Sequence, residues 1–175
     1  MSKLLTILCF LSFTSMSVIA QDQVGDIIAL ADVPESKALV EQAEQYTTAV
    51  VNSDFEAIAK LTHEDIISVG GGEEFLIMDL KAELDALAAQ GLAYSSSEVG
   101  AHPEFLESEG ELQTILPVKF YLMMNSKKVE SWVNLFATSI DEGVTWKFVN
   151  LEKFDEPSLR EFVKNVSPEL VYPTR

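Results

Sequence analysis

The sequence predicts an α+β domain in which N-terminal helices lie against a curved antiparallel sheet, with a short helix at the C-terminal end. Three observations predict it. Apolar residues recur at helical spacing from about residue 36 to Gln90. After Gly91 the period changes from 3.6 to 2. The alternating stretches that follow are long and are separated by tight-turn signals. Helices first and strands second give a segregated layout rather than alternating crossover units.

The elements follow in order. Asp32-Val33-Pro34-Glu35 reads as a helix start, with an Asp cap, a Pro in the first turn and a Glu three residues after the cap. The helix carries Leu39, Ala43, Tyr46 and Val50 on one stripe, opposite Lys37, Glu41, Gln42, Glu44 and Gln45. Ser53-Asp54-Phe55-Glu56 reads as a second capping box, opening a short helix with Phe55, Ile58, Ala59 and Leu61 inward. Residues 66–69 (Ile-Ile-Ser-Val) read as a short β-branched strand ended by Gly70-Gly71-Gly72. Glu73 and Glu74 fall in the next first turn, where a helix dipole favours anions. Leu76, Ile77, Leu80, Leu84, Leu87 and Ala88 then recur at helical spacing, and Gly91 supplies the left-handed stop.

Four β stretches are expected, at 92 to about 102, 112–124, 128–140 and 144 to about 154. Ser108-Glu109-Gly110, Asn125-Ser126-Lys127 and Asp141-Glu142-Gly143 lie between them as turns, so the last three form an antiparallel meander. Leu112, Leu116, Val118, Phe120, Leu122 and Met124 fall on one face. Ile115, Tyr121 and Met123 share the other with Glu111, Gln113 and Lys119, a partly apolar face that a partner subunit or the C-terminal helix would cover. Pro157 opens a helix over 158–166, and a tail follows to residue 175. Leu39, Tyr46, Val50, Ile58, Leu80, Leu84, Phe120 and Phe148 are the expected shared core. Leu159, Phe162, Val163, Val166 and Leu170 make residues 157–172 a segment expected to dock, either across the outer face of the sheet or over the mouth of the fold.

The chain has 175 residues. Residues 1–20 have the three parts of a secretory signal peptide: a basic start at Lys3, an apolar run, and Val18-Ile19-Ala20 before Gln21. The strongly apolar part is too short for a membrane span, which needs about 20 residues. The division expected is therefore a signal peptide over 1–20, a lead-in over 21–35, one domain over 36–154, and a C-terminal helix and tail over 155–175. About 155 residues suffice for one core without disulfide or metal. The one cysteine, Cys9, lies in the leader, so the mature chain would contain no disulfide, thiol nucleophile or cysteine metal site. Net charge is -16, and loss of Lys3 makes the mature chain one unit more negative. That charge argues against nucleic acid and anionic membrane as partners. With 47% hydrophobic residues the chain is too apolar for a disordered acidic tail. The expected location is exported, periplasmic or secreted.

The run Tyr46-Thr47-Thr48-Ala49-Val50-Val51-Asn52-Ser53-Asp54-Phe55-Glu56-Ala57-Ile58-Ala59-Lys60-Leu61 resembles the first helix, the break and the second helix of the nuclear transport factor 2-like superfamily, which includes SnoaL-like proteins. Residues 63–71 look like the strand that follows, and residues 139–148 like the final hairpin with its Trp and Phe. The resemblance covers about 36–154 and is one of arrangement. It implies a cone-shaped fold with a pocket between helices and sheet, often a homodimer through the sheet, and, here, an exported bacterial member. Enzymes, small-molecule binders and interaction modules share the fold, so it does not decide function. No family catalytic residue maps onto a position of this chain.

Thr62-His63-Glu64-Asp65 is the one place where a histidine and carboxylates cluster. His63 is the candidate catalytic residue, a general base oriented by a carboxylate. The competing reading is a loop residue near a helix end that stabilises its positive form. Tyr46, Tyr94, Tyr121 and Trp132 are amphipathic aromatics that, with His63, are candidate ligand-binding residues; the competing reading is ordinary core or interface packing. His63 and His102 have no spaced third ligand, so neither metal nor any other cofactor is expected. The glycine triplet lacks a P-loop Lys and is followed by two acids, which argues for a turn rather than a phosphate cradle. The function expected is an exported non-catalytic domain binding a small apolar ligand or a protein partner. The alternative is an isomerase, dehydratase or cyclase type of enzyme using a pocket His or carboxylate as base.

Overall fold

A computed structural model describes residues 34–102 and 104–173. The expected signal peptide and all but the last two residues of the lead-in lie outside the described residues.

The first helix, α1 (Pro34–Asn52), begins with proline at a position whose N–H would lack a partner in any case. It buries Ser36, Leu39, Ala43, Tyr46, Thr47 and Ala49, the stripe that its 3.6-residue period sets up. It ends where Ser53 takes a left-handed φ of 56°. Asp54, rather than Ser53, then caps α2 (Phe55–Leu61), its Oδ1 accepting from the Ala57 N–H at 3.1 Å.

The segment after α2 corrects the expected strand at 66–69. It is a helix, α3 (Glu64–Val69). His63 caps it, with Nδ1 accepting from the Asp65 N–H at 3.1 Å, and two acids occupy its first turn. A β-branched run this short has no decisive period, and the cap and acidic first turn win. Strand-like pairing shrinks to a bridge between Thr62 and Phe148, continued by the His63 N–H donating to the Phe148 carbonyl at 3.0 Å. Helix α4 (Glu73–Ala89) follows, and Gly91 at φ 75° releases the chain into the sheet.

The sheet contains β1 (Leu92–Val99), β2 (Leu106–Ser108), β3 (Glu111–Met124), β4 (Lys127–Ser139) and β5 (Lys147–Asn150). Its order is β1-β3-β4-β5, all pairs antiparallel, and β2 shares the β1 side of β3. Two-residue turns close β2–β3 and β3–β4. Both residues of each turn have positive φ: Glu109 and Gly110 in the first, Asn125 and Ser126 in the second. Such turns match the right-handed twist of the flanking strands. β5 is shorter than the strand expected to run from 144 to about 154, because the chain turns into a 3₁₀ segment at Leu151–Lys153, capped by Asn150.

Even-numbered residues of β3 point inward and odd ones outward, as the alternation predicts. Leu116, Val118, Phe120 and Leu122 meet Val133, Leu135, Ala137, Trp146 and Phe148 under α1 and α2. Of the expected core, Leu39, Tyr46, Ile58, Phe120 and Phe148 are buried there, while Val50 and Leu80 pack at its margin. Leu84 is a correction: it is only half-buried and outside that cluster, and α4 buries no residue fully. On the outer face, Phe136, Val149 and Leu151 form a second cluster with Leu159, Val163 and Leu170. The C-terminal segment, including α5 (Glu156–Phe162), therefore docks across the outer face of the sheet.

Polar groups pin this docking. Gln113, fully buried, donates from Nε2 to the Asn165 carbonyl at 2.8 Å and accepts the Ser167 N–H on Oε1 at 2.9 Å. Arg160 donates to the carbonyls of Ser167 and Leu170 and pairs with Glu156. The tail's backbone thus has partners where the apolar cluster takes it out of water.

Candidate functional site

Where α3, α4, the end of β5 and α5 meet, the described residues line a half-open cavity of about 330 Å3. Three phenyl rings wall it: Phe75 from α4, Phe154 after the 3₁₀ turn and Phe162 from α5. Phe154 and Phe162 stand edge to face at 6.2 Å between centroids. Ile66, Val69, Leu76, Met78 and Val149 complete the apolar wall. The polar groups are few: Thr62, Asn150, Asp79 and Lys153. Asn150 spends its Oδ1 on the Glu152 N–H, which leaves its amide N–H2 as donor. Lys153 Nζ lies 2.6 Å from Glu83 Oε1, an ion pair that ties the 3₁₀ turn to α4.

Local sequence explains the geometry. Gly71 and Gly72, at φ 93° and 106°, turn the chain from α3 into α4. A Cβ on Gly71 would meet the Phe75 ring at 3.3 Å, so the turn also seats that ring. Helix α4 is apolar on more than one side. Its Leu80 reaches the core, whereas Phe75 and Met78 lie more than half exposed on the side of the cavity.

The five residues singled out in the sequence fall into three places, and none is among the residues lining this cavity. Tyr46 is buried against Phe148, centroids 5.5 Å apart. Burial pushes its phenol up to about 12, with the Thr62 hydroxyl acting the other way and Glu83 and Tyr94 adding to the rise. Tyr94 stands edge-on to Phe120 at 5.0 Å, and burial, then Glu83, raises its pKa. Tyr46 is linked to the cavity through Thr62, which lines it.

Tyr121 and Trp132 come together on the outer face, at the end that the C-terminal segment leaves uncovered. Lys119 Nζ sits 4.6 Å from the Trp132 ring centroid and 5.7 Å from that of Tyr121. The Tyr121 hydroxyl donates to Glu98 at 2.8 Å. Trp132 is 59% exposed.

His63 corrects the expectation that its site favours the positive form. It sits at the N-terminal end of α3 with Nδ1 already accepting a backbone N–H, so the neutral ring is the one the cap needs. Burial holds its pKa below the ordinary value, against the pull of Asp65, Glu111 and Glu64. Only Nε2 remains to exchange a proton.

No Asp, Glu, His, Lys or Arg belongs to the buried set among the described residues. Nor do the described residues group three His, Cys, Asp or Glu side chains as a metal ion requires. Among them no helix is long and apolar enough to cross a membrane. The phenylalanine cavity was missed in the sequence. The available signal was in α4, where Phe75 and Met78 are apolar off the main stripe, a mark of a helix that meets more than one apolar partner.

No protein-family model and no curated protein matches the chain. Among solved structures it is similar to a protein from Novosphingobium aromaticivorans described as NTF2-like with a cystatin-like fold. The identity is 15%, the similarity covers 86% of this chain and 99% of the other, and the TM-score is 0.48.

Proposed function

We propose that the chain is an exported, non-catalytic domain of the nuclear transport factor 2-like kind that holds a small, largely apolar ligand between α3, α4, β5 and α5. One observation carries this reading: a cavity of about 330 Å3 walled by three phenyl rings and aliphatic groups, with a few polar atoms at one side. Size and lining are those of sites that orient a small molecule by a few polar contacts. The non-catalytic part is supported by His63, whose Nδ1 is committed to a helix cap, and by the lack of any ionisable side chain in the described buried set apart from tyrosine. Export is supported by the leader-like pattern of residues 1–20.

Native mass spectrometry of protein purified without denaturation tests the reading. The expected result is a small-molecule adduct that is recovered chemically unchanged and is lost in Phe162→Ala. Recovery of a converted molecule, with conversion abolished by His63→Asn, would replace it with the enzyme reading. N-terminal sequencing that starts at Met1 in the extracytoplasmic fraction would remove the export claim.

A further inference from the structure

We infer that the phenylalanine-walled cavity selects an organic cation, an amine or quaternary ammonium on a hydrocarbon or ring body, over neutral and anionic molecules of the same size. This rests on the cavity being a ligand site.

The charges at the cavity favour a cation. Lys153 is the one cationic side chain in the lining, and Glu83 already neutralises it at 2.6 Å. Asp79 is the one carboxylate in the lining, and among the described residues no hydrogen bond or ion pair engages it. The polar side therefore presents one uncompensated negative charge. An anion would have to displace Glu83 from Lys153 and sit beside Asp79; a cation meets Asp79 without breaking anything.

The apolar walls point the same way. The faces of aromatic rings carry negative potential and attract ammonium groups, most strongly where water is excluded. Phe75, Phe154 and Phe162 supply three rings around one volume. The chain as a whole, at net charge -16, repels anions and concentrates cations at its surface. The volume sets the body of the ligand: it is about twice that of a dry apolar cavity of about 150 Å3 that takes up benzene, so two fused rings or an equivalent chain fit.

The test uses three probes of one shape and different charge: 1-naphthylmethylammonium, 1-naphthylmethanol and 1-naphthoate. Binding to the full mature chain is measured by calorimetry at low salt. The ammonium should bind about tenfold more tightly than the alcohol, and the carboxylate most weakly. Asp79→Asn, at an exposed position that should not disturb folding, should cut the ammonium preference by about threefold, the rings supplying the remainder, while leaving the alcohol unchanged. Phe162→Ala should weaken all three. Equal or tighter binding of the alcohol or carboxylate, or an ammonium preference that Asp79→Asn leaves undiminished, overturns the cation assignment and leaves the cavity standing as a ligand site. Failure of all three probes to bind, or binding indifferent to Phe162→Ala, overturns both.

Discussion

Replacing Tyr46 by Phe should flatten the response of stability to alkaline pH. In the folded protein burial raises the Tyr46 phenol from 10.0 to about 12. In the unfolded chain the phenol titrates near its ordinary value. Below pH about 10 both states keep the proton and the phenol contributes nothing to the pH slope. Between pH about 10 and about 12 the unfolded state loses the proton and the folded state keeps it, so each pH step favours unfolding. Two units at about 1.4 kcal/mol each set a loss of about 2–3 kcal/mol from the wild type, most of it reached by pH about 12. Phenylalanine has no proton to lose. The other tyrosines and lysines titrate in both proteins, and their effects cancel in the difference to the extent that sites are independent. Urea unfolding at a series of pH values, followed through the buried Trp146, measures it. The gap between wild type and Tyr46→Phe should change by about 2–3 kcal/mol between pH about 9 and about 12. Parallel pH curves would show that Tyr46 ionises without resistance and that water reaches this part of the core.

Three further outcomes are expected. Leu39→Ala removes a fully buried side chain and should cost about 2–5 kcal/mol, whereas the half-buried Leu84→Ala should cost less than about half of that; equal losses in denaturant titrations would contradict the exposed setting of α4. For His63, burial lowers the folded pKa, so its contribution is present above the ordinary value of 6.5 and is lost as pH falls below it. His63→Asn keeps a capping acceptor and should be less acid-sensitive than wild type in thermal melts between pH about 7 and about 5, and an unchanged acid slope would count against the buried neutral ring. Gln113→Ala leaves two tail backbone groups unpaired and should cost about 1–3 kcal/mol. Hydrogen exchange should accelerate first at residues 163–170, and uniform protection there would show that the clamp does not hold the tail.

Much of the layout is written locally. Asp54 caps a helix, Gly91 stops one, and the pairs Glu109-Gly110 and Asn125-Ser126 can adopt the positive φ that tight hairpins require, so boundaries at these places are readable from the residues. The alternation of β3 likewise assigns Phe120 to one face and Tyr121 to the other. What was not readable depends on distant partners. Ile66 and Ile67 look like strand residues until the His63 cap and the lining role of Ile66 are seen together. The candidate site suffered most. Tyr46 and Trp132 are both amphipathic aromatics, yet one lies in the core and the other on the surface. The cavity itself draws Phe75, Phe154 and Phe162 from positions up to 87 residues apart in sequence. No local pattern joins them; only the docking of the C-terminal segment does.

That docking also imposes a schedule. A chain that emerges from the ribosome, or through a translocation pore, with its N-terminus first presents β3 and β4 well before residues 159–170 arrive. During that interval Phe136 and Val149 have no cover from Leu159, Val163 and Leu170, and the Gln113 amide has neither of its tail partners. The nascent domain therefore displays an unfinished apolar face of the kind a holding chaperone recognises. It loses that face once residues 159–170 have emerged and docked. The same step brings Phe162 to the cavity wall, so that wall is complete only once this segment has emerged. Stalled chains ending near residue 155 should be retained by apolar-surface-binding chaperones and cleaved readily by added protease, while chains extended past residue 170 should show neither behaviour.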